Sequence, residues 1–434
     1  FISRDLSFSG GGGIPIIIIL IFIGLLVGFL SGIYPAFYLS KFQPISILRS
    51  DFLPGRSSAT MRTILVITQF SISIALIISI GIMNRQLKYI QTLDTGFNRN
   101  NVLVINAGGS IQENMETFKA RILEIPEIEG ISSSRLIPSN DLINDSGGST
   151  LDGENPGHIP FRLAVVQVDY EFFENLGIKM LAGRNFSREF SMDDSASFIL
   201  NAAAVKQLGW GEPEAGLNRP LRYGGVDGTI IGIADDINFE TLHNPIVPVI
   251  YLLNPAGGQL CIRINNSNMP ATIEKIERIY NEYAPNSMFF YSFLQDRYDD
   301  NYRTEFQLGK VMVFFTIFAI LIACLGLFGL SSFLSELKSK EVGICKVMGA
   351  TISQVVFRLS YEFTRWVLLA NLFAWPAAYF LMKRWLSNFA YHITMPWYIF
   401  ILAVFISLSI ALLTVGSQAV RIASRNPADS IKYE

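Results

Sequence analysis

Cysteine and histidine are scarce in this sequence, with three of each in 434 residues. Cys261, Cys324 and Cys345 lie far apart and no CxxC occurs, so neither a disulfide framework nor a zinc site is indicated. His158, His243 and His392 are scattered, and there is no HExxH and no GxSxG. A G-x-x-x-x-G-K-[ST] loop is also missing. Gly309-Lys310 lacks both the upstream glycine and the following Ser or Thr, so the chain carries no cradle for nucleotide phosphates. The nearest approach to a catalytic cluster is Asp235-Asp236 followed by His243. Paired carboxylates can do acid–base work, but adjacent residues on a strand point to opposite faces. A polar loop after a strand is the preferred reading. No catalytic residue, metal site or cofactor of its own is expected.

Charge is scarce as well. Only 16% of residues are charged and 50% are hydrophobic, too apolar for an ordinary soluble protein and too charged to lie wholly in a membrane. The net charge of −2 conceals an asymmetry: residues 85–305 hold 18 basic and 29 acidic residues, and the remainder 16 and 7. An acidic exposed part repels phosphates, which argues against nucleic acid as a partner. Cationic segments beside the apolar runs suit anionic lipid headgroups, and topogenic charge explains them equally well.

What the sequence does have is long apolar runs. Ile14 to Leu39 carries no charge and is long enough to span a bilayer with some tilt. Gly24, Gly28 and Gly32 recur in it every four residues, a face that lets another helix approach closely, although glycine is also common in such helices. A polar linker leads to a second span, Thr63 to Met83, whose Gln69, Ser71 and Ser73 are expected to bond neighbouring helices rather than line a channel. Its pattern continues to Leu93 as a stalk. Gln295 to Gln307 reads as a second stalk, leading into a third span at Leu308 to Leu334. Trp366 to Met382 is a shorter, weaker span, with Glu362 and Arg365 spaced to pair at its entrance, and Trp397 to Val415 is the fifth.

Between the stalks the texture is that of a soluble α+β domain. Strands are expected at Val102–Ile105, Leu163–Val168, Phe198–Leu200, Thr229–Ala234, Val249–Leu253 and Leu260–Ile264. Helices are expected at Met115–Ile125, Glu171–Leu176, Ala202–Leu208 and Met269–Tyr283. The absence of a regular βαβ rhythm favours two small lobes over a parallel sheet.

One charged stretch, Lys338 to Ala350, separates the third and fourth spans. It reads as a short amphipathic helix ending at Gly349, with Thr351 and Ser353 able to cap the next. Basic residues number four in the 41–62 linker, five in the 335–365 loop and three in the tail. The positive-inside rule places these three in the cytoplasm and the soluble domain outside. A short repeat is present too: Gln43-Pro44-Ile45-Ser46-Ile47-Leu48-Arg49 resembles Asn426-Pro427-Ala428-Asp429-Ser430-Ile431-Lys432. The offset suggests that residues 14–49 end an earlier copy of the module and that further sequence precedes Phe1.

These residues carry a family likeness. Ala323-Cys-Leu-Gly-Leu-Phe-Gly329 followed by Lys340-Glu341-Val342-Gly343-Ile344-Cys345-Lys346-Val347-Met348-Gly349-Ala350 resembles the K-E-I-G-I-R-K-x-x-G-A motif of FtsX-like, MacB-type permeases of ABC transporters, with Cys345 where arginine is usual. Asp169-Tyr-Glu-Phe-Phe173, Leu181-Ala-Gly-Arg184-Asn-Phe186, Leu208-Gly-Trp210 and Ile231-Gly-Ile-Ala-Asp235-Asp236 resemble the family's extracytoplasmic domain. The resemblance is to the eight-span, Bacteroidetes-type versions, here N-terminally truncated.

It implies an α-helical transmembrane bundle of about five spans with an inserted, two-lobed, MacB periplasmic core-like α+β domain. The expected organisation is 1–50, the end of a preceding repeat with a helix at 14–39; 63–93, helix and stalk; 94–294, extracytoplasmic domain; 295–334, stalk and helix; 335–358, coupling-helix loop; 361–418, two helices; and 419–434, tail. The implied ATPase-coupling residues are Lys340, Glu341, Gly343, Lys346, Gly349 and Ala350. The implied partners are a separate ABC ATP-binding subunit that holds the ATP, membrane lipids, a second permease half or copy, and a periplasmic adaptor. The implied setting is the bacterial inner membrane. The implied activity is mechanotransmission for export or extraction of a substrate. The alternative is regulation of a cell-wall hydrolase or sensing of antimicrobial peptides.

Overall fold

The computed structural model describes residues 18–19, 21–29, 32, 56–142, 144–145, 148–151, 157, 159–265 and 268–423. Much of the expected first span, the 41–55 linker, His158 and the repeat at 426–432 lie outside the described residues. The chain divides into two compact units. One comprises Phe1–Ile82, Gln307–Leu381 and Pro396–Glu434; the other comprises Met83–Phe306 and Met382–Met395.

Four helices among the described residues are long and apolar enough to cross a membrane: Thr63–Thr92, Arg303–Leu334, Ile352–Leu386 and Trp397–Arg421. The fourth expected span is part of a longer helix that begins at Ile352 and holds Pro376 in its interior. Polar side chains in the first unit are mostly turned onto backbone. Ser71 Oγ reaches Ile67 O of its own helix (2.7 Å) and Ala370 O of another (3.1 Å). Ser73 donates to Gln69 O. Gln69 itself lies against Gly326, where an added Cβ would meet its Oε1 at 2.6 Å.

The second unit is built on one mixed sheet. Its strands are β1 (Val102–Asn106), β2 (Ile128–Ser134), β3 (Asn144–Asp145), β4 (Gly148–Thr150), β5 (Leu163–Val168) and β6 (Met180–Gly183). There follow β7 (Ser197–Asn201), β8 (Pro220–Tyr223), β9 (Val226–Ala234), β10 (Val249–Leu253), β11 (Gln259–Ile264) and β12 (Tyr291–Phe293). The order is β12-β1-β11-β2-β5-β10-β7-β9-β8-β4, with β3 on β5 and β6 on β9. Among the described residues, only β5–β10 and β7–β9 pair in parallel.

Side-chain alternation sorts these strands into layers. Val102, Val104, Cys261, Ala164, Val166, Ile199 and Tyr251 face one core, which also takes Leu87, Ile90, Tyr298, Tyr302 and Phe389. The alternate residues Leu103, Ile105, Leu260 and Ile262 face a second core closed by Phe118, Ile122, Ile276 and Tyr280 from two helices. Phe198, Leu200, Leu221, Ile230 and Ile250 face a third, closed by Ala204 and Val205. The two expected lobes share a single sheet, whose strands pack onto these three cores.

The 382–395 loop belongs to this unit. Gln86, fully buried, donates from Nε2 to Tyr391 O (3.0 Å) and accepts at Oε1 from the Ile393 N–H (2.9 Å). The stalk expected at 295–307 is broken at Asn301–Tyr302 between the Leu294–Asp300 helix and the Arg303–Leu337 helix.

Two charged contacts hold the unit's interior. Asp169, fully buried, accepts from Lys119 and from the Ser133 N–H. Burial raises its affinity for a proton, and the Lys119 charge only partly offsets that. Asp193 accepts from both Nη atoms of Arg184 (2.5 and 2.8 Å), from the Ser187 N–H and from Ser197. Burial pushes its carboxyl up, but these donors together hold it below the usual carboxylate range.

Asp169→Ala removes the buried partner of Lys119, leaves its ammonium with the more exposed Glu171 (3.5 Å) and Glu116 (3.9 Å), and is expected to cost about 3 kcal/mol, read as a lowered Tm of the full chain in detergent. Asp169→Leu with Lys119→Met removes both charges together and is expected to cost less than either single change. The Asp193 contacts stabilise the fold above the unfolded carboxyl pKa of about 3.9, and this contribution is lost as pH falls through the depressed folded value. Asp193→Asn is expected to flatten that acid limb of the stability profile relative to the parent protein, measured by unfolding between neutral pH and about pH 3.

Candidate docking site

The charged stretch folds as a helix, Ser339–Val347, with Glu341 in its first turn and Lys346 in its last, each suited to the helix dipole. Gly349 ends it at φ +96°, a conformation that strains any residue with a side chain. The Ala350 N–H donates to Cys345 O (2.9 Å) and the Gly349 N–H to Lys346 O (3.0 Å), which satisfies two of the last carbonyls. The next helix starts at once. The Gln354 N–H donates to Thr351 Oγ1 (3.4 Å) while Gln354 Oε1 accepts from the Thr351 N–H (3.0 Å). This reciprocal cap follows from the Thr-Ile-Ser-Gln spacing. Ser353 contacts Thr351 through its hydroxyl rather than capping the helix itself.

The charges are paired across the reversal. Arg358 Nη2 meets Glu341 Oε1 at 3.1 Å, and Lys338 Nζ meets Glu362 Oε2 at 2.6 Å. The expected pairing of Glu362 with Arg365 is therefore replaced: the reversal brings Lys338 to Glu362, and the cross-helix contact wins over the same-helix one. Gly343 is buried, Lys346 is half-buried, and Ala350 packs with Val342 and Val356 onto Val355 and Ala419. The side chain of Lys340 lies outside the described residues. A cavity of about 340 Å³ remains between the two helices, lined by Lys338, Glu341, Arg358, Glu362 and Arg365 over an apolar floor that includes Val342 and Val355.

The tip of the reversal is apolar and open. Val347 and Met348 are 68% and 81% exposed, and Ile344 and Ile352 are exposed beside them. Sequence reasoning that followed charge passed over these residues. The only available signal was two apolar residues just before a helix-ending glycine.

The other sequence candidates do not assemble into a site. Gly24, Gly28 and Gly32 lie on helical backbone with no described atom within 4 Å of an added Cβ. Asp236 Oδ1 accepts from the Ala203 N–H (2.9 Å) beside the Asn201 cap of the Ala202–Gln207 helix, and burial raises its proton affinity. His243 instead faces Glu305 (3.3 Å) and stacks between Phe389 and Tyr302. Among the described residues no group of three or more His, Cys, Asp or Glu is placed to hold a metal.

Two family models match the chain: the MacB-like periplasmic core domain over residues 63–279, half of the chain, and the FtsX-like permease C-terminal over residues 313–427. No curated protein matches it by sequence. Among solved structures, it is similar to the periplasmic region of MacB from Actinobacillus actinomycetemcomitans. The identity is 12% and the TM-score 0.33, over 46% of this chain and 92% of that one. It is also similar to the extracellular domain of the noncanonic ABC-type transporter YknZ from Gram-positive bacteria, at 9% identity and TM-score 0.31, over 44% and 97% of the two chains. The chain belongs to the FtsX/MacB-type permeases of ABC transporters, helical membrane proteins with an inserted extracytoplasmic domain.

Proposed function

We propose that the chain is a permease subunit of the bacterial inner membrane that converts ATP hydrolysis on a separate nucleotide-binding subunit into movement of its extracytoplasmic domain. The observation that carries this reading is the apolar tip Ile344, Val347, Met348 and Ile352 on a turn whose Lys338 and Glu341 are paired with Glu362 and Arg358. A turn that exposes apolar side chains while pairing its charges internally suits a protein partner. The Arg303–Leu334 helix, long and apolar enough to cross a membrane, lies between the extracytoplasmic domain and this turn in the chain, which supports a cytoplasmic position for the turn. Glu341, Gly343, Gly349 and Ala350 then shape the turn, and Val347 and Met348 make the contact.

The helices at Arg56–Thr92 and Arg303–Leu337 continue into the extracytoplasmic unit and are suited to carry displacement to it. The cargo is a substrate exported or extracted on the outer side. The Gly24, Gly28 and Gly32 spacing suits close approach by a further permease half or copy.

Val347→Asp with Met348→Asp is expected to reduce co-purification of the ATPase subunit at least about tenfold. Exchanging the charges of Glu341 and Arg358 leaves the pair intact and is expected to keep the subunit bound. Unchanged co-purification by the double aspartate variant sinks the docking role.

A further inference from the structure

The cavity beside the reversal is chemically distinct from the apolar tip. Lys338, Arg358 and Arg365 line it with Glu341 and Glu362, three cations against two carboxylates and so a net +1. Each carboxylate is committed to one cation, at 3.1 and 2.6 Å. Arg365 makes no hydrogen bond or ion pair with a described residue and is exposed. The residue after it is Trp366, where the apolar part of the helix begins, so its guanidinium belongs at the level of the lipid headgroups. Tyr361 also lines the cavity and stacks with Phe357 one turn earlier (centroids 6.4 Å apart); both rings are exposed.

We infer that this cavity binds the phosphate of an anionic phospholipid headgroup, with Arg365 as the principal ligand. A guanidinium offers a planar fork of donors that matches two phosphate oxygens. The net +1 of the lining complements a phosphodiester monoanion. Lys338 and Arg358 add attraction while remaining paired with their own carboxylates. Val342, Val355 and Tyr361 supply apolar surface for the glycerol and the start of an acyl chain. Basic cavities between membrane helices on the cytoplasmic side are where anionic headgroups lodge. The inference takes the cytoplasmic placement of the turn from the proposed function but requires no ATPase. It accounts for the re-pairing of Glu362 with Lys338, which leaves Arg365 available.

The test uses the full chain, purified alone in a neutral detergent. It is titrated with phosphatidylglycerol, phosphatidylcholine or inorganic phosphate, and Tm is read by tryptophan fluorescence. Phosphatidylglycerol is expected to raise Tm saturably, phosphatidylcholine and phosphate much less. Arg365→Gln is expected to weaken the phosphatidylglycerol midpoint at least about tenfold, and Arg365→Lys by less. Lys310→Gln, a cation outside the cavity, is expected to leave the midpoint unchanged.

An unchanged midpoint in Arg365→Gln overturns the site. An equal loss in Lys310→Gln does so too, because it reports a general charge effect. A phosphate response equal to that of phosphatidylglycerol overturns the lipid assignment in favour of a soluble anion. Should Arg365→Gln fail to fold, the Arg365→Lys midpoint and the parent protein's lipid preference decide: equal response to phosphatidylcholine overturns the site. None of these outcomes bears on co-purification of the ATPase, so failure here leaves the docking reading standing.

Discussion

A backbone amide in hydrocarbon has no water to bond, so every polar group at that depth must be satisfied within the protein. Most polar side chains described in the first unit obey this constraint; Asn371 Oδ1 and Trp375 Nε1 are buried there without a partner among the described residues. Its helices run long, and Ser73, Thr316, Ser407 and Thr414 turn their hydroxyls back onto carbonyls of their own helices. The chain reverses where its two helix ends can satisfy each other, in the link Met348–Thr351. Gly349 supplies the left-handed turn, and Thr351 with Gln354 starts the next helix. This self-sufficiency frees the tip of the turn to present Val347 and Met348 outward.

The extracytoplasmic unit solves a different problem: burying both faces of one sheet. The strand sequences Val102-Leu-Val-Ile105 and Phe198-Ile-Leu200 are apolar at consecutive positions because each face has a core. The motifs that carry the family likeness turn out to serve this packing. Asp169 ties β2 to the Met115–Leu123 helix through Ser133 and Lys119. Gly183, at φ +73°, lies where an added Cβ would meet Ile231 O at 2.3 Å, and the next residue, Arg184, clamps Asp193. Trp210 sits under the Arg219 guanidinium. Each of these contacts lies within the extracytoplasmic unit and holds one of its elements against another.

The candidate site was half legible in the sequence. Its helix, the ending at Gly349 and the cap at Thr351 are local and follow from residue spacing. The pairs Glu341–Arg358 and Lys338–Glu362 are 17 and 24 residues apart, and no helical periodicity reports a contact across a reversal. For the same reason the i,i+3 spacing of Glu362 and Arg365 pointed to a pair that the fold does not form.

What the sequence determined by itself is the division of the molecule. Runs without charge select membrane helices, and period-two and period-3.6 patterns select the strands and helices of the inserted domain. These are local or compositional properties, read from neighbours along the chain. The tertiary structure alone decided that the strands join in one sheet, that Gln86 ties the 391–393 backbone to the extracytoplasmic unit, and that Glu362 pairs with Lys338 rather than with Arg365. Each depends on which distant segments meet, and a contact between residues far apart in sequence leaves no trace in the spacing of either.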